Sequence, residues 1–130
     1  MPLETTSETS TVNIEPRRIT VIGTGYVGLV TALAFAHHGH HVTCVDVIPE
    51  RVETVSRGEA PFFEPGVPEA LRRHVGDGNL EATTDTVTAV RSSDVTFLCV
   101  GTPSAPDGTY DLTHLRSAAR DVGSALRGHD

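Results

Sequence analysis

Residues 19 to 46, "ITVIGTGYVGLVTALAFAHHGHHVTCVD", leave this chain few ways to fold. A short β-branched run is followed at once by glycines at 23, 25 and 28. Next come an Ala/Leu-rich segment too long for a strand and a second run, "HVTCVD", that ends in Asp46. Strand, glycine turn, helix and strand in that order predict a βαβ unit, with its two strands parallel in one sheet. Gly39 stands where a helix C-terminal glycine belongs.

Each part of the turn has a physical task in such a unit. Gly23 permits the tight strand-to-helix turn, Gly25 lets a ligand approach the backbone with no Cβ in the way, and Gly28 lets the helix pack close to the sheet. The unpaired amides at the helix start, including those of Tyr26 and Val27, favour negative charge and suit a pyrophosphate. Asp46, 18 residues beyond Gly28, suits the ribose hydroxyls of an adenosine. Its carboxylate repels a 2′-phosphate, which favours NAD over NADP, although Arg51 is near enough in sequence to reach a phosphate. Glycines at this spacing also serve S-adenosylmethionine, FAD or no ligand at all, so the turn alone leaves those readings open.

Downstream, "PERVETVSRG" predicts a helix with Pro49 in its first turn and Gly58 past its end. "VPEALRRHVGDG" predicts another, with Glu69 at its start and Arg72, Arg73 and His74 in its last turn. "LEATT" predicts a short third strand, "DTVTAVRSS" a weak helix, and "DVTFLCVG" a fourth strand of parallel-sheet type. A loop with an Asp-Gly turn leads to a last helix over "LTHLRSAARDVGSALRG", with Asp111 as its N-cap.

The expected fold class is α/β, a Rossmann-like parallel sheet with helices on both faces. A full sheet of this kind has strand order 3-2-1-4-5-6. The domain over residues 17–130 is therefore expected to be incomplete, cut short after its fourth strand and the following helix. "VTFLCV" would then be an exposed edge, through which self-association is expected. The first helix, apolar nearly all round, reads as covered on more than one side. Residues 1–16, rich in Thr, Ser and Glu, are expected to form a disordered tail.

Composition removes several function classes. There is no lysine, so Schiff-base chemistry and ammonium nucleophiles are excluded for this chain by itself. A net charge of −7 argues against nucleic-acid and anionic-membrane partners. No apolar run is long enough to span a membrane and no secretory signal is evident, so a cytoplasmic location is expected. Cys44 and Cys99 lie in apolar runs and read as small buried hydrophobes rather than nucleophiles. The histidines of "HHGHH" (37, 38, 40 and 41) suit a helix C-terminus better than a metal, so no metal site is expected. In "FFEPG" the two phenylalanines are expected to pin the loop to the core, and Asp107, Asp111 and Asp121 read as turn, cap and helix-surface residues. No catalytic residue is assigned.

Taken in order, "GTGYVG", Asp46, "PFFEPG", "ATTD", "VGTPS" and "DGTYDL" give the chain a close resemblance to the N-terminal domain of the UDP-glucose/GDP-mannose dehydrogenase family, over residues 17 to 127. The resemblance implies NAD as cofactor, with Gly23, Gly25, Tyr26, Val27 and Gly28 on the pyrophosphate loop, Asp46 on the ribose and Arg51 near the adenosine. It also implies that Thr83 lies near the cofactor and that Thr102 and Pro103 border the crevice where strand order reverses. Family members oxidise the C6 hydroxyl of a nucleotide sugar to a carboxylate in two hydride transfers to NAD, using a cysteine nucleophile and a lysine. That machinery is expected in segments this sequence does not contain, so the chain alone is expected to be inactive. It would meet the nucleotide-sugar substrate only together with that missing C-terminal part. UDP-glucose is the expected substrate; GDP-mannose, UDP-N-acetylmannosamine and a stand-alone NAD-binding regulatory or scaffolding module are the alternatives.

Overall fold

The structure, a computed structural model, describes residues 14–129. The expected tail therefore lies outside the described residues except for 14–16, which are exposed.

Among the described residues nine elements follow one another: β1 (Arg18–Ile22), α1 (Tyr26–His37), β2 (His41–Val45), α2 (Pro49–Ser56), α3 (Val67–Gly76), β3 (Leu80–Thr83), α4 (Thr86–Arg91), β4 (Val95–Leu98) and α5 (Thr113–Leu126). The four strands form one wholly parallel sheet in the order β3-β2-β1-β4. Ile19 on β1 is level with Val42 on one side and Val95 on the other, and Val42 is level with Leu80.

Helix ends are written into local chemistry. After α1, Gly39 at φ +91° donates to the carbonyl of Ala36 at 3.0 Å, and His40 donates to that of Phe35 at 3.1 Å. These two bonds close a Schellman motif, which satisfies carbonyls that a helix end otherwise leaves unpaired. The same pair of bonds recurs where Gly58 follows α2 and Gly78 follows α3. At the start of α4, Asp85 caps the helix by accepting from the Thr88 amide at 3.1 Å. The last helix begins at Thr113, slightly later than expected, and Asp111 accepts from the Thr113 amide and hydroxyl in an Asx turn just outside it.

Both faces of the sheet are covered. Ile19, Val21, Val42, Cys44 and Leu80 pack against Leu29, Ala32, Leu33 and Ala36 of α1, Val55 of α2, and Val67 and Leu71 of α3. On the other face, Ile22 and Val45 meet Ala89 and Val90 of α4 with Ala118 and Ala125 of α5. Leu29, Leu71 and Leu80 are fully buried, each burial being worth roughly 1.5–3 kcal/mol. α1 is covered twice, by the sheet and by α3, as its apolar circumference predicts. β4 is an edge strand, and its Val95 and Leu98 stay 45% and 38% exposed. The "FFEPG" loop departs from expectation: Phe62 packs on the core, whereas Phe63 projects outward, 89% exposed.

Candidate cofactor site

β1 leads to β2 on one side and is flanked by β4 on the other, so the C-terminal ends of β1 and β4 border the point where strand order reverses. A crevice there is the expected ligand position in an open parallel sheet. A cleft of about 840 Å³ occupies it. Its walls include Gly23, Gly25, Tyr26, Val27, Asp46, Arg51, Thr102 and Pro103.

The three glycines do different work. Gly23 sits at φ +109°, where a side chain is strained, and a Cβ there would overlap the carbonyl oxygen of Cys99. Gly28 lies beneath the cleft rather than in its wall, and a Cβ on it would overlap the carbonyl oxygen of Gly23. Gly25 differs from both. Its φ of −71° and ψ of −170° suit any residue, and a Cβ on it would meet nothing within 4 Å. Neither backbone nor packing calls for glycine at 25, and the space kept clear belongs to the cleft.

The start of α1 faces the same space. Gly25 provides no side-chain cap, no acidic residue occupies the first turn, and the helix ladder opens with the Leu29 amide on the Gly25 carbonyl at 2.9 Å. The preceding amides point from the positive end of the helix dipole, a ready seat for phosphate oxygens. Tyr26 stacks edge-on against Phe62, with ring centroids 5.3 Å apart, so the "PFFEPG" loop lies beside the mouth of the site.

Asp46 is 6% exposed at the end of β2. Its Oδ2 accepts from the Thr24 hydroxyl at 2.6 Å and from the Thr24 amide at 3.0 Å, and its Oδ1 accepts from the Ile48 amide at 3.0 Å. Burial by itself raises the carboxyl's pKa. The bonds from Thr24 and Ile48, with the guanidinium of Arg51 3.8 Å from Oδ2, outweigh that and hold it below the ordinary carboxylate range. The side chain is a fixed carboxylate at neutral pH.

Thr83 is not in the wall of the cleft. Its carbonyl accepts from the Asp46 amide at 3.3 Å and its hydroxyl accepts from the Asp85 amide at 3.0 Å, so it supports the acid from behind. Thr102 and Pro103 are exposed on the far wall, where the Pro103 carbonyl accepts from the Asp111 amide at 2.7 Å. An antiparallel bridge between Ser104 and Tyr110 turns the expected loop into a small hairpin closed by the Asp-Gly turn.

Several cleft residues escaped sequence reasoning. Thr24 lies between the glycines, where attention goes to the glycines themselves. His114, Ser117 and Asp121 line the cleft from α5, so Asp121 is not merely a helix-surface residue. Their spacing of three and four puts them on one helical face, which was the available signal. Of the cysteines, burial pushes the Cys44 thiol up to about 12 and raises that of Cys99, so both are protonated at neutral pH. His40 accepts from the Arg17 amide through Nδ1 at 2.9 Å, and among the described residues no group of three or more His, Cys, Asp and Glu is placed to hold a metal.

The chain resembles known proteins in sequence and in fold. A model of the NAD-binding domain of the UDP-glucose/GDP-mannose dehydrogenase family matches residues 17–130. A UDP-glucose 6-dehydrogenase of Rhizobium meliloti is 45% identical over 112 residues, covering 85% of this chain and 26% of the relative. The crystal structure of a ternary complex of GDP-mannose dehydrogenase from Pseudomonas aeruginosa superposes with a TM-score of 0.83 at 41% identity, covering 85% of this chain and 25% of that one. A UDP-glucose dehydrogenase from Pyrobaculum islandicum gives a TM-score of 0.83 at 43% identity, covering 87% and 26%. The chain thus spans about a quarter of the length of the relatives it matches. A parallel sheet whose glycine turn, uncapped helix start and buried acid surround one cleft, matched over residues 17–130 by that family's domain, places this chain in the UDP-glucose/GDP-mannose dehydrogenase family as its NAD-binding domain.

Proposed function

We propose that the chain is the cofactor-binding part of a nucleotide-sugar 6-dehydrogenase that oxidises the C6 hydroxyl of UDP-glucose to the carboxylate of UDP-glucuronate, with NAD as hydride acceptor. The observation that carries the cofactor site is Gly25, a glycine that neither its backbone nor its packing requires, beside an uncapped helix start and an ionised acid. The amides of Gly25, Tyr26 and Val27 hold the pyrophosphate, and Gly23 and Gly28 keep the turn that presents them. Asp46 accepts from a ribose hydroxyl, Arg51 lies along the adenosine, and the Thr83 carbonyl steadies Asp46 by accepting from the Asp46 amide. Thr102 and Pro103 bound the opposite side of the cleft, toward the reacting end of the cofactor. UDP-glucose is favoured by the 45% identity to the Rhizobium meliloti enzyme, and GDP-mannose is the second reading because relatives with that activity match at similar identity. The two free thiols support a reducing, cytoplasmic location.

Calorimetric titration of the chain with NAD, NADP and S-adenosylmethionine tests the cofactor reading. Weak but saturable binding of NAD, in preference to the other two, is expected. Saturation by S-adenosylmethionine, or by none of them, would overturn it. Formation of NADH with UDP-glucose or with GDP-mannose is expected only when the rest of the enzyme is supplied, and the better substrate decides between the two sugars.

A further inference from the structure

We propose that Thr24 sets the preference for NAD over NADP by holding the Asp46 carboxylate in place, a role that rests on the NAD reading above. Thr24 is fully buried, borders the cleft, and directs both its hydroxyl and its amide at Asp46 Oδ2. An ionised carboxylate offers about four acceptor positions and no donor. Thr24 fills the two on Oδ2 and the Ile48 amide fills one on Oδ1, which leaves one position on Oδ1 for a ribose hydroxyl.

The guanidinium of Arg51 stands 3.8 Å from Oδ2, a charge neighbour without a hydrogen bond. With Oδ2 occupied by Thr24, Arg51 is kept from a two-pronged grip on the acid, which would turn the carboxylate from the ribose and neutralise it. A carboxylate fixed and charged at this spot rewards a 2′-hydroxyl and repels a 2′-phosphate. Thr24 is therefore a positioning residue for Asp46. The hydroxyl is the part that matters, because the amide bond survives any substitution that keeps the turn.

The test compares Thr24→Val, close in shape but without the donor, with Thr24→Ser, which keeps it, in the full 130-residue chain. Two quantities are read: the titration of the Asp46 carboxyl by carbon NMR and the affinities for NAD and NADP by calorimetry. In Thr24→Val the Asp46 carboxyl is expected to titrate at higher pH. NAD affinity is expected to fall about tenfold, as loss of a hydrogen bond to a charged group implies. NADP affinity changes little, so discrimination shrinks by a similar factor, and Thr24→Ser restores both readouts. Should Thr24→Val not fold, Thr24→Ala replaces it.

An unchanged NAD to NADP ratio with only a lower melting temperature would make Thr24 structural and overturn the proposal, as would a Ser variant that behaves like Val. If the unaltered chain binds neither nucleotide while the Asp46 titration still moves, the NAD reading itself has failed and the specificity role falls with it. If NAD binds and neither readout moves, Thr24 alone is refuted.

Discussion

Gly28 and Gly23 meet backbone to backbone: the Cα of Gly28 at the start of α1 faces the carbonyl oxygen of Gly23 with no room between them for a methyl group. This contact sets how closely the helix start approaches the end of β1, and so where its free amides stand relative to the cleft.

Replacing Gly28 with alanine therefore forces the turn and the helix apart. The expected cost is about 3 kcal/mol or more, at the upper end of overpacking penalties, because a backbone oxygen cannot step aside as a side chain can. Urea denaturation measures it, and an unchanged midpoint would refute the contact.

Gly25→Ala should do the reverse. Its backbone angles suit alanine and its Cβ would enter open space, so stability is expected to rise by about 0.4–1 kcal/mol through the unfolded chain. NAD affinity is expected to drop by about tenfold or more, since in the proposed site the methyl would take the place of the pyrophosphate. A Gly25→Ala chain that binds NAD normally would remove the main support for the site.

Asp46 makes stability depend on acid. Its folded pKa is below the ordinary value, so its contribution is fully present above about pH 3.9, the value in unfolded chains. That contribution is lost as the pH falls through the lower folded value. Asp46→Asn should be less stable at neutral pH and should flatten this acid limb. Denaturant midpoints between neutral and strongly acid pH check it, and parallel curves for the two proteins would contradict it.

His74 adds a second loss of stability toward acid, at higher pH, because it is a base whose pKa is lowered. Burial, with Arg73 next to it and His37 facing it at 6.5 Å between ring centroids, lowers its pKa, while Asp77 pulls the other way. Unfolded chains take up the proton near pH 6.5, so stability should decline as the pH drops through about that value toward the lower folded one. Its Nδ1 is buried without a hydrogen-bond partner among the described residues. His74→Leu is thus expected to be at least as stable at neutral pH and to lose this slope. Melting temperatures on either side of the window measure the difference, and a steep slope that persists in the variant would rule it out.

Among the described residues no strand lies on the outer side of β4, where Val95 and Leu98 are partly exposed. We propose that two copies pair along it. Sedimentation should show a dimer that Val95→Lys dissociates, whereas a monomer at all concentrations would dispose of the idea.

What could be read from the sequence was local. Positive-φ glycines after α1, α2 and α3, the Asp85 cap and the alternation of β-branched and Ala/Leu-rich runs each depend on neighbours a few residues away, so element order and the parallel sheet were legible. Gly23, Gly25 and Asp46 were legible for the same reason, being a turn, an opening and a strand end. Only the tertiary structure decided that Thr24 and Ile48 clasp Asp46, that Thr83 faces Asp85 instead of the cleft, that Phe62 packs while Phe63 does not, and that α5 turns His114, Ser117 and Asp121 toward the site. Those outcomes depend on strand register and on helix rotation against the sheet. Both are set by the packing of side chains far apart in the chain, and no local pattern of residues encodes them.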